Sequence, residues 1–155
     1  MADALTDYLD QKRHKEFERK VAASNQEKQM ELQRRLDAQI AAEFQALRDR
    51  LTSLIQVFDE KAPEVGLALK QGNETYFAFS SHTSDCAIQF TTTLAQYSCP
   101  MQCSDKVIKV TSRNYNEHLA LTWHQEDFAW VVLTGRRSIH STEDLADVIL
   151  KGMLP

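Results

Sequence analysis

The stretch LDAQIAAEFQALRDRLTSLIQVF, residues 36–58, decides how this chain folds. From Ile40 onward its apolar residues alternate between spacings of four and three, which is typical of a helix that buries one face. The same spacing is the heptad pattern of a coiled coil. The segment therefore favours a helix packed either on its own domain or on a second helix. The interface residues that the second alternative predicts are Leu36, Ile40, Phe44, Leu47, Leu51, Leu54 and Phe58.

The sequence around this stretch predicts a long helical arm over residues 1–62. The first proline is Pro63 and the first glycine is Gly66, so the two strongest helix breakers are absent before them. Within the arm, a coiled coil is predicted at 36–60. Ser24 and Glu27 have the spacing of a capping box, which leaves the arm as either one helix or two.

The first half of the arm is poor in apolar residues. Between residues 10 and 31 only Phe17, Val21 and Met30 are sizeable apolar groups. A long helix with so little to bury is stabilised mainly by a neighbour. The arm therefore predicts a homo-oligomer or a helical protein partner.

Residues 63–155 differ in composition from the arm and are predicted to form an antiparallel β-sheet domain. Runs of β-branched and aromatic residues are separated by turn residues, with hairpin turns expected at 71–73 and 125–127. Helical spacing and a Ser141 N-cap predict a closing helix over 142–153, packed on the sheet. The fold class is therefore α+β, with a meander of about six strands. These strands are expected at 65–70, 75–80, 86–94, 107–112, 118–124 and 128–134.

Alternation within the strands assigns the two faces of the sheet. The wetter face is expected to carry Gln89, Thr91, Thr93 and Thr122. The buried face is expected to carry Ile88, Phe90, Leu94, Leu119, Leu121, Trp123, Phe128, Trp130 and Val132.

Composition limits the cellular setting. A net charge of -4 and a 43% apolar content are ordinary for a globular protein. The apolar runs, such as 128–133, are far shorter than the roughly 20 residues of a membrane span, so no membrane partner is predicted. Three cysteines do not suggest a disulfide framework. The predicted location is the cytoplasm.

A basic segment at residues 12–35 is the alternative functional feature. It holds eight basic and four acidic side chains, a balance of +4 (8 - 4), and Arg136 with Arg137 offers a second contact. Such a segment can follow a phosphate backbone, although its mixed signs also fit a solvated helix with ion pairs. The nucleic-acid candidates are Lys12, Arg13, Lys15, Arg19, Lys20, Arg34 and Arg35.

The cysteines and histidines that could bind a metal have a spacing only partly typical of a metal site. Cys99, Cys103, His118 and His124 have the spacing C-x3-C-x14-H-x5-H, but the histidines bracket a predicted strand, whereas a zinc finger carries them on a helix. No metal and no cofactor are therefore predicted.

Catalysis has little support in the sequence. The nearest nucleophile and base pairs are His82 with Cys86 and Ser138 with His140, and neither lies in a glycine-rich loop. The chain is predicted not to be an enzyme. The leading hypothesis is a non-enzymatic assembly or adaptor protein that uses its helical arm. The alternatives are a nucleic-acid-binding accessory protein, and a small enzyme or zinc protein.

Overall fold

The structure is a computed structural model that describes residues 2–92, 102–134 and 138–154. It confirms the α+β class: a long helix, α1, is followed by an antiparallel sheet and a short closing helix, α2. A single 3-10 turn, Pro63–Val65, follows α1. The helices are α1 (Ala2–Lys61) and α2 (Thr142–Lys151), and the strands are β1 (Ala68–Gly72), β2 (Tyr76–Ser80), β3 (Asp85–Thr92), β4 (Cys103–Thr111), β5 (Asn116–His124), β6 (Asp127–Val132) and β7 (Ile139–His140).

The sheet is a meander in which each strand pairs antiparallel with the next, in the order β1 to β7. Six of the strands correspond to those predicted from the sequence. The seventh, β7, was not predicted, because two residues are too few to show an alternating pattern. It pairs Ile139 with Val131 and His140 with Trp130.

The chain divides into two compact units, residues 1–34 and 35–155. The sequence predicts a boundary at residue 62; in the structure the apolar side chains in the second half of α1 are buried in the same compact unit as the sheet. α1 is one helix from Ala2 to Lys61. Ser24 and Glu27 lie inside this helix, so they do not mark the start of a second helix.

The core of the domain lies between the second half of α1 and the sheet. The Phe44 and Phe90 rings are 4.7 Å apart between centroids, with their planes tilted by 49°. Helix and sheet are thus in direct aromatic contact. The apolar stripe of α1 packs within its own domain, which is the first of the two alternatives that its spacing left open. The fully or almost fully buried members are Leu36, Ile40, Phe44, Leu47, Leu51 and Ile55.

The strand register confirms which sheet face lies under the helices. Phe90 pairs with Ile108, Ile108 with Leu119, and Leu119 with Val132, so these four side chains form one row across β3 to β6. Paired residues point to the same face. Leu94, which was assigned to this face from the sequence, lies outside the described residues.

The opposite face carries a smaller apolar cluster. Val107, Ala120 and Val131 are buried there and belong to neighbouring strands. Thr122, expected on the wetter side, is also buried, and its Oγ1 donates a 2.7 Å hydrogen bond to the carbonyl of Gln102. That bond satisfies the hydroxyl, which explains why a polar residue is accepted in this position.

α2 is joined to α1 and to the sheet through one hydroxyl group. Thr142 Oγ1 donates to Glu43 Oε2 at 2.7 Å and accepts from Trp130 Nε1 at 3.0 Å. Ser141 caps the helix by accepting from the Asp144 backbone N–H at 3.2 Å. The helix ends at Lys151, two residues earlier than predicted. Its buried face consists of Leu145, Ala146, Ile149 and Leu150.

The position of Phe44 yields a stability prediction. Replacing Phe44, which is 0% exposed, with alanine removes a large buried side chain and leaves a cavity, so we expect a loss of about 3–5 kcal/mol in the free energy of unfolding. Val57→Ala on the same helix is the control; because Val57 is 45% exposed, its effect should stay within about 0.5 kcal/mol. Urea denaturation of both variants measures the difference. A Phe44→Ala variant as stable as the parent would contradict the packing of α1 on the sheet.

The turn between β5 and β6 adopts an unusual backbone conformation. Gln125 and Glu126 have φ angles of 50° and 64°, and the flanking residues His124 and Asp127 pair across the hairpin. Positive φ at both central residues is the property of a type I′ turn, in which asparagine and glycine are preferred. Each non-glycine residue in this region carries a steric penalty from its Cβ.

Glycine at position 126 should relieve that penalty. We expect Glu126→Gly to raise the free energy of unfolding by up to about 1 kcal/mol, measured by thermal and urea denaturation. Glu126→Ala removes the same charge but keeps the Cβ, so it should give no gain. If both variants were equally stabilised, the loss of the carboxylate would be the cause and the backbone would not.

Candidate functional site

The first half of α1 is a fully solvated helix. Every residue from Asp3 to Glu31 is exposed. The segment nevertheless carries six large apolar or aromatic side chains, and Phe17 is 66% exposed. Contiguous exposed apolar groups are typical of an interaction surface, whereas single ones are normal on any protein. We call this set the arm surface: Leu5, Tyr8, Leu9, Phe17, Val21 and Met30.

The spacing of these residues creates two apolar pairs on the helix. Leu5 and Leu9 are four residues apart, as are Phe17 and Val21, so each pair shares a face over one helical turn. Together they present two apolar patches rather than a continuous stripe. Such patches are too small to form a core, but they can anchor a second helix.

Charged side chains surround the apolar patches. Lys12, Arg13 and Lys15 are exposed, and Arg19 and Lys20 follow on the next turns. Acidic residues lie among them, and His14 Nε2 is 2.9 Å from Glu18 Oε1 one turn later. The surface therefore combines separate apolar patches with charged side chains of both signs.

Arg35, one of the nucleic-acid candidates, is engaged by the sheet domain. Its guanidinium lies 5.5 Å from the centroid of the Trp123 ring. Trp123 also meets Phe128 edge to face at 4.9 Å and is 39% exposed. The sequence predicted Trp123 and Phe128 on one face, but not their contact with Arg35, because residues 88 positions apart carry no local signal. Arg34 is exposed.

The residues predicted as a helix interface occupy a different environment. Five of the seven are at most 1% exposed in the domain core, and Leu54 and Phe58 are half-buried. A coiled coil through them would require α1 to leave the sheet. The stripe is thus the domain's own core in this structure, because its spacing fits the sheet as well as it fits a second helix. The five are Leu36, Ile40, Phe44, Leu47 and Leu51.

The cysteine and histidine pattern does not come together as a metal site. Cys103 is disulfide-bonded, and a sulfur in that state offers no thiolate to zinc. Cys99 lies outside the described residues. His118 and His124 are at opposite ends of β5, and burial, followed by the charge of Lys109, lowers the pKa of His118. Within ranges 2–92, 102–134 and 138–154, no group of three or more potential metal ligands is found.

The nucleophile and base pairs also lack a catalytic setting. Ser138 Oγ and His140 Nε2 are 3.0 Å apart, but among the described residues no carboxylate orients the other ring nitrogen. Cys86 is buried, and burial raises the pKa of its thiol to about 12. A buried thiol of that pKa is protonated at neutral pH and is a poor nucleophile. His82 instead packs against Gly66.

Comparison with known proteins gives no guide to the site. No protein-family model, curated protein or solved structure matches this chain. In the part of the chain that the structure describes, no helix has the length and apolar character needed to cross a membrane.

The buried Cys86 thiol yields a prediction about alkaline pH. In the unfolded chain the thiol ionises near pH 9, whereas in the folded protein it stays protonated to about 12. Between these values the unfolded state binds fewer protons, so stability falls as pH rises. Tyr115 also makes the folded state less stable as pH rises, because burial and then the charge of Glu117 raise its pKa from 10 to about 12.

Urea midpoints measured at intervals from pH 8 to 11 test this linkage. We expect the Cys86→Ala variant to lose stability more slowly than the parent between pH 9 and 10, before Tyr115 contributes. Its stability at pH 7 should be lower by about 1 kcal/mol because a small buried group is lost. Parallel slopes for parent and variant would contradict the assignment.

Proposed function

We propose that this chain is a non-enzymatic assembly or adaptor protein whose arm surface binds a helix, supplied by a second copy or by another protein. The observation that carries the proposal is the exposure of every residue from Asp3 to Glu31 in a helix with six large apolar side chains. The domain of residues 35–155 is the folded body that carries this arm.

The physical reason is that a solvated helix gains little stability by itself. Isolated helices are marginal in water, and most helical stability in proteins comes from the burial of an apolar face. Burying all six side chains of the arm surface would contribute on the order of 10 kcal/mol before the cost of association is subtracted. That gain is of the same order as the cost of association, about 4–15 kcal/mol, so a partner helix has to bury most of the arm surface or add contacts of its own.

The binding residues differ from those first predicted. Residues 36–58 are needed for the domain core, so assembly through them would compete with folding. The arm surface has no such conflict. A chain can therefore keep its domain intact and still engage a partner through residues 5–30.

A cytoplasmic location is part of the proposal. The free, buried Cys86 supports it. The disulfide-bonded Cys103 opposes it, because a reducing compartment would open such a bond.

Nucleic acid is the second candidate, and one observation favours it. Lys12, Arg13, Lys15, Arg19 and Lys20 are all exposed within nine residues. Binding through them would weaken steeply as salt rises. Retention on a heparin column and elution at increasing salt separate this alternative from a protein partner, since the apolar arm surface predicts only a weak dependence on salt.

The arm surface is tested by a triple variant of the full chain: Leu9→Glu, Phe17→Glu and Val21→Glu. The control, Gln11→Glu, Asn25→Glu and Gln26→Glu, adds the same charge at exposed polar positions of the arm. Light scattering on a sizing column, over a range of protein concentrations, reports the mass. We expect the parent and the control to form a multimer and the triple variant to be monomeric, with the domain still folded.

A monomeric parent at every concentration would rule out a second copy as the partner. The helix would then have to come from another protein. If the triple variant assembled as well as the parent, the arm surface would not be the contact.

A further inference from the structure

The sheet has an open edge at β1. Within the described residues β1 pairs only with β2, and all five of its residues, Ala68–Gly72, are exposed. A strand at the end of a sheet presents backbone N–H and C=O groups that another strand can pair with.

The Lys70 side chain, which could protect this edge, points towards another strand. A lysine that points off an edge strand discourages pairing with a further strand. Lys70 lies where the register shifts between Leu69 and Gln71, but its Nζ is 2.7 Å from Asp85 Oδ1 on β3. The charge of Lys70 is therefore held across the sheet rather than presented to an approaching strand.

A cleft of about 460 Å³ runs along this edge between β1 and α1. Leu69 and Ile55 contribute apolar side chains from the strand and the helix. Leu69 pairs with Phe79 of β2 and is 49% exposed, because within the described chain no strand lies on its outer side. Thr52, Gln56, Asp59 and His82 complete the polar part of the lining.

The lining of the cleft contains one carboxylate, that of Asp59, and neither a lysine nor an arginine. A ligand with a positive charge is therefore favoured. A second copy of β1 would bring only Lys70 as its cation, and that side chain is already paired with Asp85.

We propose that β1 binds an extended peptide segment of a partner protein as an eighth strand of the sheet. The peptide's backbone pairs with the free edge, one apolar side chain enters the cleft over Leu69, and a neighbouring lysine or arginine faces Asp59. This is strand addition, in which the main chain supplies affinity and alternate side chains supply specificity. The site is separate from the arm surface and does not depend on it.

The test uses a phage-displayed library of random 12-residue peptides, selected on the immobilised full chain. We expect enriched sequences with alternating apolar residues and at least one adjacent lysine or arginine. A synthetic peptide of the enriched sequence should bind one to one. Leu69→Lys places a lysine on the edge strand, and Asp59→Lys reverses the charge of the cleft carboxylate. Each variant should weaken that binding at least tenfold.

Two matched controls lie on α1 away from the cleft lining. Val57→Lys introduces a lysine at an exposed apolar position, and Asp49→Lys reverses an exposed acid. Both should bind the peptide as the parent does. Circular dichroism checks that each variant is folded, and because Asp59 is exposed on a helix, its variant gives an answer even if Leu69→Lys does not fold.

Three results would overturn the proposal. One is a selection with no enrichment over the bare support. Another is a peptide whose affinity is the same for the parent and for the Asp59→Lys variant. The third is a dimer of the parent that dissociates in the Leu69→Lys variant, since the β1 edge would then pair with a second copy of the chain. The triple arm variant should bind the peptide as the parent does. A failure of the strand-addition proposal can therefore be distinguished from a failure of the proposal that the arm surface binds a helix.

Discussion

The burial of one face of α1 against the sheet is the interaction on which the rest of the domain depends. Phe44 meets Phe90, and the buried residues from Leu36 to Ile55 continue that contact along five helical turns. Glu43, on the flank of the same helix, accepts a hydrogen bond from Thr142 at the start of α2. The helix therefore supplies both the apolar core and the polar group that positions the closing helix.

Much of this fold could be predicted from residue spacing, and the failures have physical causes. The period of two in β3, β5 and β6 identified the face that lies under the helices, because that face is almost entirely apolar. β7 is too short to show a period. The positive φ angles at Gln125 and Glu126 had no signal, since neither residue type favours that conformation.

The candidate site was harder to predict than the fold. Spacings of four and three show that a helix face is buried but not what buries it, so residues 36–58 fitted a partner helix as well as their own sheet. The shortage of apolar residues before Met30 was the informative signal, because a helix with little to bury stays solvated. The contact between Arg35 and Trp123 required the tertiary structure.

The helical state of the arm matters for how it would bind. A disordered segment that folds on its partner loses conformational entropy at that moment, which lowers its affinity for a given interface. The arm has neither glycine nor proline to interrupt its helix, and its side chains include the close pair His14 and Glu18 at a spacing of four. These features lower the cost of forming the helix, but a solvated helix of this kind is marginal in water until an apolar face is buried. The affinity of the arm would therefore depend on how much of its two small apolar patches a partner covers.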